Sequence, residues 1–311
     1  MPIRGISPSL IDSYNTCPMS LYFDRIIDPR PDVPKWIGAV FGTAIHYFIS
    51  THVYKNSQYP LGFKDKKSMI GFWCHFWDDV VNGNWDRINS NFWYRDFEKP
   101  EDLKKKGIGI LSLYWDNNLS RPKPDFVELE IKKSVDGIHL IGVIDQIRPG
   151  RYGHQIIDLK TGRTYGGGER NEFALSRNIQ LTFYSMLYRK HFGKQEEAVG
   201  IYDLNTGKIM LSYRDQRDIN ALLDRIKQIA QDMSDGKYPR IFGKHCSMCD
   251  FQGPCIQPEK HFDRRQLDEE QERIIFSPFE IGLEIEEGIV TVSKKVKREK
   301  AKQLKLKFKS I

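Results

Sequence analysis

The chain has 311 residues, 40% hydrophobic and 29% charged, with a formal net charge of +7. This is the composition of an ordinary globular protein, with room for one large domain or two modest ones. No apolar run is long enough to cross a bilayer, and the N-terminus MPIRGISPSL lacks the apolar centre of a secretory signal, so an intracellular, cytoplasmic protein is expected. The charge is uneven: residues 294–309 hold nine Lys or Arg against one Glu, a net of +8 that leaves about −1 elsewhere, so whole-chain charge says little about what the body binds.

In chain order, Ser7 as N-cap and Pro8 at the first helical position predict a helix from about 8 to 16, with a second from 18 to 26. Residues 41–54 read as helix, with Ile45, Phe48 and Ile49 on one stripe. Trp73, Phe76, Trp77 and Val80 recur at helical spacing and read as an aromatic packing face, and a further helix is expected over 100–117. Two alternating runs, VELEIKKSV and IHLIGVIDQI, flank Asp136-Gly137, which signals a hairpin. A turn at RPGRYGH leads into QIIDLK, giving a three-stranded meander over 127–160.

Helix returns in LSRNIQLTFYSMLYRKHFG, with Ile179, Phe183, Met186 and Leu187 facing a core. Two strands joined at NTG follow, then an amphipathic helix over 215–235 and a cysteine-bearing loop over 237–257. Residues 281–293 suggest a small hairpin, and the lysine-rich end suggests disorder. The fold class is α/β, of mixed α+β type, with a mixed sheet.

Asp158 and Lys160 stand two apart on a strand and therefore share a face, opposite Ile157 and Leu159. Asp145, on the adjoining strand, alternates in phase with the apolar Val143 and Ile147, where a carboxylate needs compensation. Two carboxylates about 5 Å apart would repel by roughly 3 kcal/mol at an effective dielectric near 20. A divalent cation removes that conflict, and few hard oxygen ligands with open positions suit Mg²⁺ or Mn²⁺. Lys160 would then hold a phosphate oxygen or orient the attacking water, parts that suit phosphodiester hydrolysis. A surface Asp–Lys pair is the bland alternative for the triplet alone. Glu128 and Glu130 read as solvated or lysine-paired, though within reach of a metal.

The five cysteines are Cys17, Cys74, Cys246, Cys249 and Cys255. An odd count in a reducing compartment argues for ligation over disulfides. Cys246, Cys249 and Cys255 crowd one loop, Cys17 is the best fourth ligand, and His245 is an alternative if the metal is zinc. Cys74, among aromatics, reads as a buried free thiol.

Taken together, these motifs resemble the RecB-like branch of the PD-(D/E)XK nuclease superfamily over about residues 5 to 257. Gly142 to Asp145 matches its Gly-x-x-Asp strand, and Asp158 to Lys160 matches its acidic-x-Lys strand. Gln180 and Tyr184 match its following helix, and Gly42 and His46 match its Gly-x-x-x-His helix. The resemblance implies a restriction-endonuclease-like core, with His46, Asp145 and Asp158 as metal ligands and Lys160 as the catalytic lysine. Gln180 and Tyr184 would support that lysine or touch DNA.

The cysteine pattern resembles the iron–sulfur subset of that branch, which includes CRISPR-associated exonucleases and AddB-type subunits. This implies a 4Fe-4S cluster on Cys17, Cys246, Cys249 and Cys255, clipping the ends of the chain around the nuclease core. Domains are expected at 1–257, with a helical insertion at about 55–120 and a cysteine loop at 240–257, and at 258–311 as a charged extension. The expected function is a metal-dependent DNA exonuclease acting on single-stranded or end-processed DNA in recombination, repair or CRISPR-type processing, with a helicase or other recombination or CRISPR proteins as partners. The alternative is an inactive, iron–sulfur- or zinc-stapled DNA-binding subunit. The lysine-rich tail would add salt-sensitive phosphate contacts or is simply solvated.

Overall fold

A computed structural model describes residues 5–27, 31, 33–54, 59, 61–87, 92–94, 98–162 and 172–256. The expected hairpin at 281–293 and the lysine-rich end lie outside the described residues. Helices α1 (Pro8–Thr16) and α2 (Pro18–Arg25) come first, and a two-residue strand β1 (Lys35–Trp36) runs into α3 (Ile37–Tyr47). A π-helical stretch, Phe48–Val53, continues α3. Then come α4 (Lys66–Val81), the short strand β2 (Phe92–Trp93) and α5 (Pro100–Asn118). The strands β3 (Phe126–Val135), β4 (Ile138–Pro149) and β5 (His154–Lys160) form the meander. After α6 (Glu172–Ser176) and α7 (Ile179–Phe192) come β6 (Ala198–Asp203), β7 (Lys208–Ser212), α8 (Gln216–Ser234) and α9 (Gln252–Ile256).

The described residues fall into two compact units: 5–9 with 33–228, and 10–27 with 31 and 229–256. The first holds a five-stranded sheet ordered β3-β4-β5-β6-β7. Its pairs are antiparallel except β5–β6, which is parallel. The parallel pair needs a crossover, and α6 and α7 supply it.

One face of β5, Ile157 and Leu159, joins the aromatic core of α3, α4 and α5. In that core Trp73 and Trp77 are buried, and their indole N–H groups donate to the carbonyls of Lys104 and Pro100 at the start of α5. Each buried tryptophan thus has its polar edge satisfied by the neighbouring helix. The helical spacing of Trp73, Trp77 and Val80 in the sequence therefore marks a packing face, as expected. Helix α7 packs on the sheet so closely that a Cβ on Gly142 would stand 2.8 Å from Leu187 Cδ1. A larger residue there would make the Leu187 side chain shift.

In the second unit, α1 and α2 meet the segment after α8. Tyr14 Oη donates to the Lys237 carbonyl at 2.8 Å, and Tyr238 packs against Tyr14 and Tyr22. Phe23 stacks on Phe251. The pairing of β1 with β2 has no sequence signal, because two residues carry no periodicity. Cys74 departs from expectation: it is half-buried, since it lies off the stripe formed by Trp73, Trp77 and Val80.

Candidate active site

The two aspartates are placed by strand register. The β4–β5 ladder runs from Pro149 opposite His154 to Gln146 opposite Ile157. The next pair in register would be Asp145 opposite Asp158, and there the strands part. Directly opposed residues share a face, so the fork carries two carboxylates. Asp145 Oδ2 accepts the Leu159 N–H at 2.7 Å, which fixes the carboxylate where a ladder bond would otherwise fall.

Both aspartates are buried, at 8% and 1% exposure. Among the described residues Asp158 Oδ1 has no hydrogen-bond donor, and Oδ2 is served by Lys160 Nζ alone, an ion-pair partner at 2.8 Å. Burial, opposed by Lys160 and reinforced by Asp145, pushes the Asp158 pKa up to about 6. Burial acts on Asp145 too, but His46, the Leu159 N–H and Lys160 outweigh it and hold its pKa below the usual carboxylate value.

His46 comes from the last turn of α3, with its Nδ1 3.4 Å from Asp145 Oδ2. Burial disfavours its charge, yet the Asp145 carboxylate prevails and lifts its pKa to about 9. One turn earlier, a Cβ on Gly42 would sit 3.2 Å from Thr161 Oγ1, so α3 lies close to the end of β5. The Gly-x-x-x-His spacing is thus a close-approach residue followed by the side chain that the approach delivers.

Lys160 Nζ also donates to Gln180 Oε1 at 2.8 Å, and Gln180 Nε2 donates to Tyr184 Oη at 2.8 Å. Asn178 caps α7 by accepting the Leu181 N–H, which sets the helix start so that Gln180 and Tyr184 fall one turn apart on the side of Lys160. Burial, then the charges of Asp158 and Asp145, raise the Tyr184 pKa far above its ordinary value, so it stays a neutral hydroxyl.

One member was undervalued from sequence. A donor atom of Glu128 lies within 4.8 Å of those of His46 and Asp145, a grouping able to hold a metal ion. Asp158 stands beside this trio without belonging to it. The signal for Glu128 was present: a two-residue Asp136-Gly137 loop pairs Val135 with Ile138, and counting back sets residue 128 opposite 145. Glu128 has φ of 50°, and the ladder skips it while resuming in register at Leu129. Glu130 behaves as expected, forming an ion pair with Lys132.

The donor set fits a divalent cation. Asp158 has a buried Oδ1 lacking a donor among the described residues, and the trio offers two hard carboxylates of the kind Mg²⁺ or Mn²⁺ takes, with an imidazole as a softer third donor.

In the other unit, Cys17, Cys246, Cys249 and Cys255 line one cavity of about 80 Å³, walled by Phe23 and Phe251 among others. The thiols are near enough to influence each other. Burial first, then Cys17 and Cys255, push the Cys249 pKa up to about 11; burial also raises that of Cys255, despite nearby Arg240. All five cysteines are free thiols. His245 Nε2 lies 2.9 Å from the Ile241 carbonyl.

Residues 5–256 match the family model described as the PD-(D/E)XK nuclease superfamily. The five-stranded mixed sheet flanked by helices is consistent with that family's restriction-endonuclease-like fold. Among solved structures, one similar chain is a "Putative exonuclease" from Eubacterium rectale. It is 13% identical, covers 79% of this chain and 86% of its own, and has a TM-score of 0.45. Another, SSO0001, is 18% identical over 50% of this chain and 77% of its own, with a TM-score of 0.29. No curated protein matches the sequence.

Proposed function

The chain belongs to the PD-(D/E)XK nuclease superfamily, and on that premise we propose that it is a metal-dependent DNA exonuclease of the RecB-like, iron–sulfur type. The observation that carries the reading is the fork of β4 and β5, where the buried Asp145 and Asp158 meet His46, Glu128 and Lys160. An inactive binding subunit would have no use for two buried carboxylates crowded at one fork, because burial and mutual repulsion cost stability.

His46, Asp145 and Asp158 would hold Mg²⁺ or Mn²⁺, with Glu128 as a further oxygen ligand. When bound, such an ion lowers the pKa of water and offsets charge on the phosphate. The other roles belong to the protein. The Leu159 N–H keeps Asp145 in one rotamer. Lys160, held between Asp158 and Gln180, presents a cation to a non-bridging phosphate oxygen as negative charge builds there. Tyr184 fixes Gln180, and Gln180 fixes the lysine.

The four thiols would hold a 4Fe-4S cluster, a soft-donor set in an apolar cavity. Free thiols throughout suit a reducing, cytoplasmic setting. Single-stranded or end-processed DNA is the proposed substrate, with a helicase as the kind of partner in recombination, repair or CRISPR-type processing. Residues 1–257 would form the nuclease domain, its helical insertion at about 55–120, and 258–311 a basic extension.

Incubation of end-labelled DNA with Mn²⁺ tests the reading. The parent should shorten the label progressively, and Lys160→Ala should be slower by about 100-fold or more. Equal degradation by both proteins would remove Lys160 from the mechanism.

A further inference from the structure

Beside His46 and Glu128 opens a cleft of about 410 Å³ whose walls include Arg87, Lys123, Tyr47 and Tyr54. Arg87 and Lys123 are exposed. The Arg87 guanidinium is held 4.4 Å from the centre of the Tyr47 ring, a cation–π contact that fixes the head group while leaving N–H groups to donate.

Beneath the wall lies a second cation. Arg148 is buried, and its hydrogen-bond partners among the described residues are neutral: Gln146, Tyr54, Tyr114 and Asn118. A guanidinium surrounded by neutral dipoles in a low-dielectric interior projects a positive potential, and Tyr54, which it touches at 3.2 Å, is a wall of the cleft. Two acidic residues, Asp125 and Glu128, also face the cleft. Asp125 Oδ2 lies 3.3 Å from His154 Nε2, and Glu128 belongs to the group suited to a cation.

We propose that this cleft is the track for a single strand of nucleic acid, with consecutive phosphates on Arg87 and Lys123 leading into the carboxylate fork. The proposal rests on the nuclease reading and names residues that no motif covers. The volume is that of a site for one small ligand, enough for about one nucleotide of one strand. Arg87 and Lys123 are binding residues, and Tyr47 positions Arg87.

The test measures binding without turnover: anisotropy of a short labelled single-stranded DNA in chelator, across a salt series. Removing two phosphate contacts in Arg87→Gln/Lys123→Gln should weaken binding about ten-fold at low salt and reduce the salt slope by roughly 1.4. Both residues are exposed, so the variant should melt like the parent. Unchanged affinity and slope would overturn the proposal, as would a blunt duplex that binds as tightly and depends equally on both residues. The two readings fail separately. If Lys160→Ala abolishes cleavage while the double variant binds normally, only the track is lost. If neither the parent nor any variant cleaves, the nuclease reading is lost whatever the binding shows; if Lys160→Ala cleaves like the parent, only the role of Lys160 is lost.

Discussion

The carboxylate fork and the thiol cavity both gather metal-binding side chains, but they stand in opposite electrostatic states. Burial disfavours charge in both. At the fork His46 and Lys160 sustain the ionised form of Asp145, while burial and Asp145 leave Asp158 strained against its charge, with Lys160 as its partner. In the cavity nothing comparable prevails, so the Cys249 and Cys255 thiols are driven toward the neutral form. A neutral thiol packs as a small hydrophobe; a buried carboxylate crowded by another is a cost. The fork should therefore be uncomfortable without a cation, whereas the thiol cavity should tolerate emptiness but gain greatly from what binds it.

The largest effect is expected at the cavity. Cys17 comes from the N-terminal segment and the other three thiols from 246–255, so a group bound by all four ties distant parts of the chain. A group present at a thousandfold excess over its dissociation constant adds about 4 kcal/mol to stability. Cys17→Ala should lose bound iron and visible absorption and melt much lower than the parent. A variant that keeps both iron and melting temperature would erase the contrast.

Much of this was legible in the sequence, because the informative devices are local. Asp136-Gly137 fixes the hairpin register, alternation puts Asp158 with Lys160, and helical spacing puts Gln180 with Tyr184. The undervalued parts depend on pairings between segments. Glu128 looked solvated because an acidic residue on an alternating strand usually is; its position opposite Asp145 appears only when register is counted across the turn. Arg148 sat in a turn-like QIRPG stretch, and its burial depends on Tyr54, Tyr114 and Asn118, brought in from α5 and the end of the π-helical stretch. No window on the sequence contains those contacts.

An intermediate and opposite-signed effect is expected at the fork. Asp158→Asn keeps the shape and removes a buried charge that burial and Asp145 disfavour more than Lys160 supports it. In chelator the variant should be more stable by about 1–3 kcal/mol, a rise of roughly 2–8 °C in melting temperature for a domain of this size. Lys160 keeps Gln180 as a partner. With Mn²⁺ the order should reverse, because only the parent gains the full binding free energy. Calorimetry under both conditions checks this. A variant less stable than the parent in chelator would show that Asp158 is compensated after all, and the contrast with the thiols would fail.

The smallest effect concerns how the fork receives its imidazole. Gly42→Ala adds a methyl 3.2 Å from Thr161 Oγ1, closer than such contacts usually run, so α3 and the end of β5 must separate by a few tenths of an ångström. Alanine favours helix over glycine by about 0.8–1 kcal/mol, which offsets the crowding and leaves overall stability within about 1 kcal/mol of the parent. His46 lies one turn further along the same helix and shares the displacement. Its distance to Asp145 is already 3.4 Å, so even a small retreat weakens a shared ion. Apparent Mn²⁺ affinity should fall about three-fold, in keeping with the sensitivity of such sites to sub-ångström placement. Thr161→Ala combined with Gly42→Ala removes the crowding atom and should restore affinity, which separates displacement of α3 from any intrinsic effect of alanine. Titration of Mn²⁺ into the parent, the single and the double variant decides it: if the single variant binds like the parent, the close approach at Gly42 is packing alone and does not set the position of His46.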